Sequence, residues 1–167
     1  ARCTNKPFNN IVMNFSKQSD YIFLRKDETL HESMEKILNS QSDEKLNLKN
    51  IFSKILETTN FNNKVGMIKN IVIFSDKPIS KTVENFKDII KEVYDKKYSI
   101  YGFKIPDILY FNINTGDIQF DVHNTEYNEI TEISGFSYEI FTEFLRIGEI
   151  KTSKILSSFE TKYFLKA

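Results

Sequence analysis

Cysteine occurs once, as Cys3, so no internal disulfide can form and a cluster of thiolate metal ligands is excluded. Histidine occurs twice, as His31 and His123, and neither stands near a cysteine or a carboxylate pair at ligand spacing. Neither sign of charge predominates, with 23 basic against 23 acidic residues, so composition gives no reason to expect nucleic acid, an anionic membrane or an acidic substrate as partner. No apolar run reaches membrane-spanning length and no signal peptide is present, which points to an intracellular protein. Tryptophan is absent, arginine is scarce and alanine stands only at the two ends, while lysine, asparagine, isoleucine and phenylalanine abound. No structural need requires that bias. AT-rich coding produces it, as in a large DNA virus, a protist or a low-GC bacterium. The first residue is alanine rather than methionine, so a processed product or a part of a longer polypeptide is expected.

What remains is ample for a folded body: 40% of the 167 residues are apolar and 14% aromatic, mostly phenylalanine. Ile11–Phe15 and Tyr21–Leu24 are short β-rich runs joined by a polar connection of hairpin length. Leu30, Met34, Ile37 and Leu38 form one helical stripe within Glu28–Ser40, and Leu48, Ile51, Phe52, Ile55 and Leu56 form another within Asn47–Asn60, with Asn47 or Asp43 as its cap. Ile71–Phe74 is a continuous apolar run that ends at Ser75 and Asp76, the pattern of a strand buried on both faces and central in a sheet. A long helix is predicted from about Ser80 through about Lys97, with Val83, Phe86, Ile89, Ile90, Val93 and Tyr94 as its buried stripe. Asp107–Ile113 is a strand, and a turn at Asn114–Asp117 leads into Ile118–Val122, whose alternation leaves one face wet. Glu129–Ser134 is a further short strand. Ser137 fits an N-cap with Phe136 stapled on Phe141, and Gly148 is a natural helix stop. Strands alternating with helices predict a mostly parallel sheet covered on both faces, with the hairpin and the half-wet strand as antiparallel additions at its edges.

Three stretches, VGMIKNIVIFSD (Val65–Asp76), IPDILYFNI (Ile105–Ile113) and ISGFSYEIFTEFLR (Ile133–Arg146), resemble the C-terminal half of a family found in plants and large DNA viruses. That half is a von Willebrand factor A-like domain, distantly similar to the one in Ro-type RNA-binding proteins. The likeness runs from about Pro7 to Arg146, and the serine-glycine-phenylalanine-serine helix start is its most specific piece. It implies a three-layer α/β domain over residues 1–148, divergent and lacking its first strand, followed by an amphipathic segment over 149–167.

The family's metal-ion-dependent adhesion site opens with an Asp-x-Ser-x-Ser turn, and this chain contains none. Aligned on Asn50-Ile51-Phe52, the family's metal-binding threonine falls on Leu46, so Asp76 is the only remaining component. A hard divalent cation takes about six oxygen ligands, more than Asp76 and Ser75 can supply. No metal and no cofactor are expected, and Asp76 reads as a solvated or helix-capping carboxylate. Lys96 and Lys97 stand between Tyr94 and Tyr98 but beside Asp95, the composition of a solvated helix end rather than a nucleic-acid patch. Asn114-Thr115-Gly116 lacks the glycine pattern of a phosphate loop, and Ser157-Ser158 lacks a nucleophile elbow.

A non-enzymatic protein-interaction or structural module, part of a viral assembly, is therefore expected. An RNA-associated module like the Ro-type proteins is the alternative, and a metal-dependent adhesion module ranks third. The expected partner is a protein or a second copy, met by Ile155, Leu156, Phe159 and Tyr163, which fall on one side of a helical tail. A membrane or nucleic-acid partner is not expected. Host cytoplasm or virion would be the location of a viral protein.

Overall fold

The computed structural model describes residues 8–14, 20–40, 46–59, 67–83, 85–114, 119–124, 126–135 and 138–147. The chain divides into two compact units, one of Ala1–Met67 with Ser80–Phe103 and one of Ile68–Ile79 with Lys104–Ala167.

In the first unit, β1 (Ile11–Met13) and β2 (Tyr21–Phe23) form an antiparallel hairpin with Val12 opposite Ile22. Among the described residues this hairpin is its own two-stranded sheet, not the edge addition to a larger one that the sequence predicts. Thr29 opens α1 (Leu30–Leu38) with a capping box: its hydroxyl accepts the Glu32 N–H at 3.3 Å, and the Glu32 carboxylate accepts the Thr29 N–H at 2.7 Å. Asn47 caps α2 (Leu48–Thr58) as expected, accepting the Asn50 N–H at 3.1 Å. All five residues of the α2 stripe are buried.

The long helix expected after Ser80 is broken. A single turn, α3 (Ile79–Thr82), is followed by Asn85 in the left-handed conformation at φ 52°, and only then by α4 (Phe86–Val93). A left-handed residue cannot continue a right-handed helix, and asparagine is among the few side chains that adopt it cheaply. Ser80 thus lies inside a turn and caps nothing longer. Beyond α4 the chain tightens and loosens through a π-helical turn (Tyr94–Tyr98) and a 3-10 turn (Ser99–Tyr101), which Gly102 ends at φ 68°. Tyr98 explains the irregularity: it is wholly buried, its hydroxyl donates to the Phe52 carbonyl at 3.0 Å, and its ring meets Phe52 edge-on at 6.0 Å.

Among the described residues the second unit holds a four-stranded sheet in the order β3 (Asn70–Ser75), β4 (Asp107–Asn112), β6 (Glu129–Ser134), β5 (Gln119–Asn124). The pairs β3–β4 and β4–β6 are parallel, and β5 closes the order as an antiparallel edge. The molecule is therefore mixed α/β, with three parallel strands among the described residues. Side chains fix the β4–β6 register at its start, where Asp107 accepts the Glu129 N–H at 2.9 Å and the Asn128 amide donates to the Pro106 carbonyl at 3.1 Å. Helix α5 (Tyr138–Ile147) lays Phe141 edge-on against Phe74 at 5.7 Å and Phe111 at 6.0 Å, while Phe74 stacks on Phe111 at 5.2 Å. Phe136, Ser137 and Gly148, with their expected cap, staple and stop, lie outside the described residues, as does most of the Asn114–Asp117 turn.

Among the described residues strand β3 is not the central buried strand that its apolar run predicts. That place belongs to β4, whose Ile108, Leu109, Tyr110 and Phe111 have no exposed surface. Among the described residues β3 pairs with β4 alone, so Ile71 and Val72 are half-buried and Phe74 is 46% exposed. Among the described residues no helix is long and apolar enough to cross a membrane.

Candidate functional site

The C-terminal ends of parallel strands are where open α/β sheets hold ligands, because the backbone splays there and loops begin. In this sheet the register sets Ser75, Asn112 and Ser134 side by side in one row at that edge. One row further in, Ile73, Tyr110 and Glu132 are aligned. The same face of the sheet thus turns from apolar to polar towards its C-terminal end.

Two long-range bonds fold the segment after β3 onto this face. The Tyr110 hydroxyl donates to the Lys77 carbonyl at 2.8 Å, and the Glu132 carboxylate accepts the Ile79 N–H at 3.0 Å. Ser75 accepts the Lys77 N–H at 3.2 Å, and Asn112 accepts the Asn114 N–H at 3.4 Å. Ser75 and Asn112 are buried, whereas Asp76, one residue on, is exposed. Leu46, at the position of the family's threonine, is a core residue at 4% exposure. Among the described residues no three His, Cys, Asp or Glu groups gather where a metal ion could sit. Asp76 is thus brought to the expected edge without a second carboxylate in such a group. Neither the Ser75 nor the Ser134 hydroxyl is bonded to a His, Asp or Glu among the described residues, so no nucleophile-base pair is formed there.

Around α1 the arrangement reverses what its periodicity predicts. The stripe exists, but Leu30 is 75% exposed, Met34 52%, Ile37 39% and Leu38 77%. The only buried residue of the helix is Ser33, whose hydroxyl donates to the Glu28 carboxylate at 2.9 Å. The Glu28 side chain has no exposed surface and also takes an ion pair from Lys36 and one from Arg25 at 3.6 Å. Lys36 is the main reason that the Glu28 carboxyl titrates at about 2. A shallow open groove beside it is lined by Arg25, Glu28, Glu32, Glu35, Lys36 and Asn39, whose charges are of both signs. A polar cluster therefore lies beneath the helix and its apolar stripe faces outward.

His31 is exposed and faces Glu35 at 3.5 Å along the helix. Lys96 donates to Glu92 at 2.9 Å and Lys97 to Ser53 at 2.8 Å, so both lysines belong to surface contacts. Strand β5 carries His123, whose side chain lies outside the described residues. Ile155, Leu156, Phe159 and Tyr163 also lie outside them. Glu28 and Glu132 were not singled out in the sequence. The signal for Glu132 was a carboxylate in the interior of the β-rich run EITEIS; for Glu28 none exists beyond the helix start.

A family described as a domain of unknown function (DUF7788) matches residues 1–163. No curated protein and no solved structure matches the chain.

Proposed function

The chain belongs to the family of domains of unknown function DUF7788, and from its own surface we propose that it is a non-enzymatic protein-interaction or structural module whose contact surface is α1. One observation supports this reading: four large apolar side chains at i, i+4, i+7 and i+8 of one helix face water while the helix's polar side is bonded inward. Apolar patches of this kind usually mark interfaces, and this spacing is how a helix fills an apolar groove on a partner. Phe23, 64% exposed on β2, adds apolar surface in the same unit. The apolar tail residues Ile155, Leu156, Phe159 and Tyr163 are proposed as a second contact on the strength of their spacing.

We read the fold as a divergent von Willebrand factor A-like domain. The parallel order β3-β4-β6 and the acidic residue directly after β3 favour it. Analogy of fold is not the basis of the functional reading.

The test is the double variant Leu30→Lys/Leu38→Lys, with a photo-crosslinking residue at Met34 in both backgrounds. Exposed substitutions of this kind change stability by about 0.5 kcal/mol or less. The parent should give a discrete crosslinked protein adduct in cells, and the double variant should lose it at unchanged stability. A double variant that unfolds would identify the stripe as core and reject the reading. Crosslinks to RNA, with binding that falls steeply with salt, would favour the RNA-associated alternative.

A further inference from the structure

Asn112 ends β4 between Ser75 of β3 and Ser134 of β6. Paired residues of neighbouring strands share a face, and strands lie about 4.8 Å apart, so the three side chains form a row about 10 Å long. The Asn112 side-chain oxygen accepts the Asn114 N–H at 3.4 Å. That N–H can only donate, so the atom facing it is the oxygen and the Asn112 amide nitrogen is directed away from it. Asn112 is 3% exposed, and among the described residues its amide nitrogen meets no acceptor. The buried Ser75 oxygen likewise accepts the Lys77 N–H at 3.2 Å, and among the described residues neither the Ser75 nor the Ser134 hydroxyl proton has an acceptor. Native proteins satisfy nearly all buried polar groups, so an amide left over marks a place for something the chain does not supply. On its inner side the row is bounded by the segment after β3, which Tyr110 and Glu132 fasten across the same face through the Lys77 carbonyl and the Ile79 N–H. It opens at the strand ends, where Ser134 is half-buried and Asp76 and Ile113 are exposed.

We propose that the row Ser75-Asn112-Ser134 binds the carboxylate of a ligand at the C-terminal edge of the sheet. What the row offers is donors: the N–H groups of the Asn112 amide and the hydroxyl protons of Ser75 and Ser134. The oxygens of Asn112 and Ser75 are already taken by backbone N–H groups, which leaves a metal cation too few ligands. Water must donate as well as accept, and its own protons would find little to bond there. A carboxylate only accepts, and hydrogen bonds to a charged acceptor are roughly twice as strong as neutral ones. Neighbouring charge favours one negative charge over two. Glu132 lies one row further in on the same face, Asp76 follows Ser75, and among the described residues no lysine or arginine side chain is bonded to the row. The site belongs to the second unit and does not depend on the reading proposed for α1.

The side-chain amide resonance of Asn112 in the isotope-labelled whole chain, assigned through its own backbone, tests this. Sodium acetate replacing sodium chloride at equal ionic strength, from about 1 to 100 mM, should shift that resonance along a saturating curve. N-acetylglycine beside acetate separates a peptide C-terminus from a small organic acid, and saturation by either through Asn112 supports the carboxylate. Ser134→Ala, at a half-buried position, should keep the fold and weaken binding about tenfold. Asn112→Asp retains the oxygen that holds Asn114 and puts negative charge in place of the amide nitrogen, so binding should vanish. Should that variant fail to fold, Ser134→Ala decides alone. A shift that never saturates means an adventitious ion only and rejects the site. Saturation that Ser134→Ala leaves unchanged would also overturn the proposal, as would dianionic phosphate binding more tightly than acetate.

Discussion

Glu132 and Ile79 stand 53 positions apart in sequence, and the buried carboxylate of one accepts the backbone N–H of the other at 3.0 Å. That bond, with Tyr110 to Lys77 at 2.8 Å, decides where the chain goes after β3. Glu132→Leu removes this acceptor from a buried N–H, which costs about 1–3 kcal/mol. Glu132→Gln keeps an acceptor and should cost less than half as much. Urea unfolding of the two variants checks the order, and equal costs would mean that the bond does not matter.

Acid should weaken the fold through Glu28. Its carboxyl is held at about 2, chiefly by the Lys36 ammonium and against the opposing effect of burial, while the free side chain titrates at 4.5. A group depressed in the folded state contributes stability that is fully present above 4.5 and is lost as pH falls towards 2. Glu92, also held at about 2 by Lys49 and then Lys96, acts in the same window. Glu28→Gln should therefore be less stable than the parent at neutral pH and should flatten the acid limb of a stability-pH curve. An unchanged acid limb would remove Glu28 from the account.

Tyr98 should be the most sensitive aromatic in the first unit. It is fully buried, and its hydroxyl bonds the Phe52 carbonyl, while desolvation raises its phenol well above the usual range. Tyr98→Phe deletes one hydrogen bond at a cost of about 1 kcal/mol. Tyr98→Ala also opens a cavity, at about 3–5 kcal/mol by analogy with other large aromatic deletions. Thermal unfolding of both should show that separation, and Tyr98 should not ionise below the pH at which the protein unfolds.

Asn85 supplies the break between α3 and α4 at φ 52°, and its side chain makes no capping bond. Asn85→Ala forces a side chain without local compensation into the left-handed region, costing about 1 kcal/mol, whereas Asn85→Gly should be near neutral. If Asn85→Ala were instead stabilising, α3 and α4 would have fused into the continuous helix that the sequence pattern suggests.

Much of the secondary structure was legible locally. The α2 stripe and its Asn47 cap stand where the sequence puts them, and β6 coincides with Glu129–Ser134. These elements depend on the spacing of their own side chains and on caps a few residues away, so neighbouring residues carry all the information. The candidate site was less legible. Asp76 was found because strand ends in α/β sheets are informative places, yet the residues that bind the segment after it, Tyr110 and Glu132, come from other strands.

The sequence by itself determined that the chain is mixed α/β, where most strands and helices lie, and that α1 has one apolar side. Tertiary structure alone decided which way that side points and which strand lies inside the sheet. An apolar stripe is a property of one segment, but its burial needs a partner surface, and here Glu28, Ser33 and Lys36 bond the opposite side of α1 inward. The run Ile71–Phe74 likewise guarantees a strand and cannot choose its neighbours. That choice is a sum of non-local pairings, and among the described residues it seats β4, not β3, between two strands.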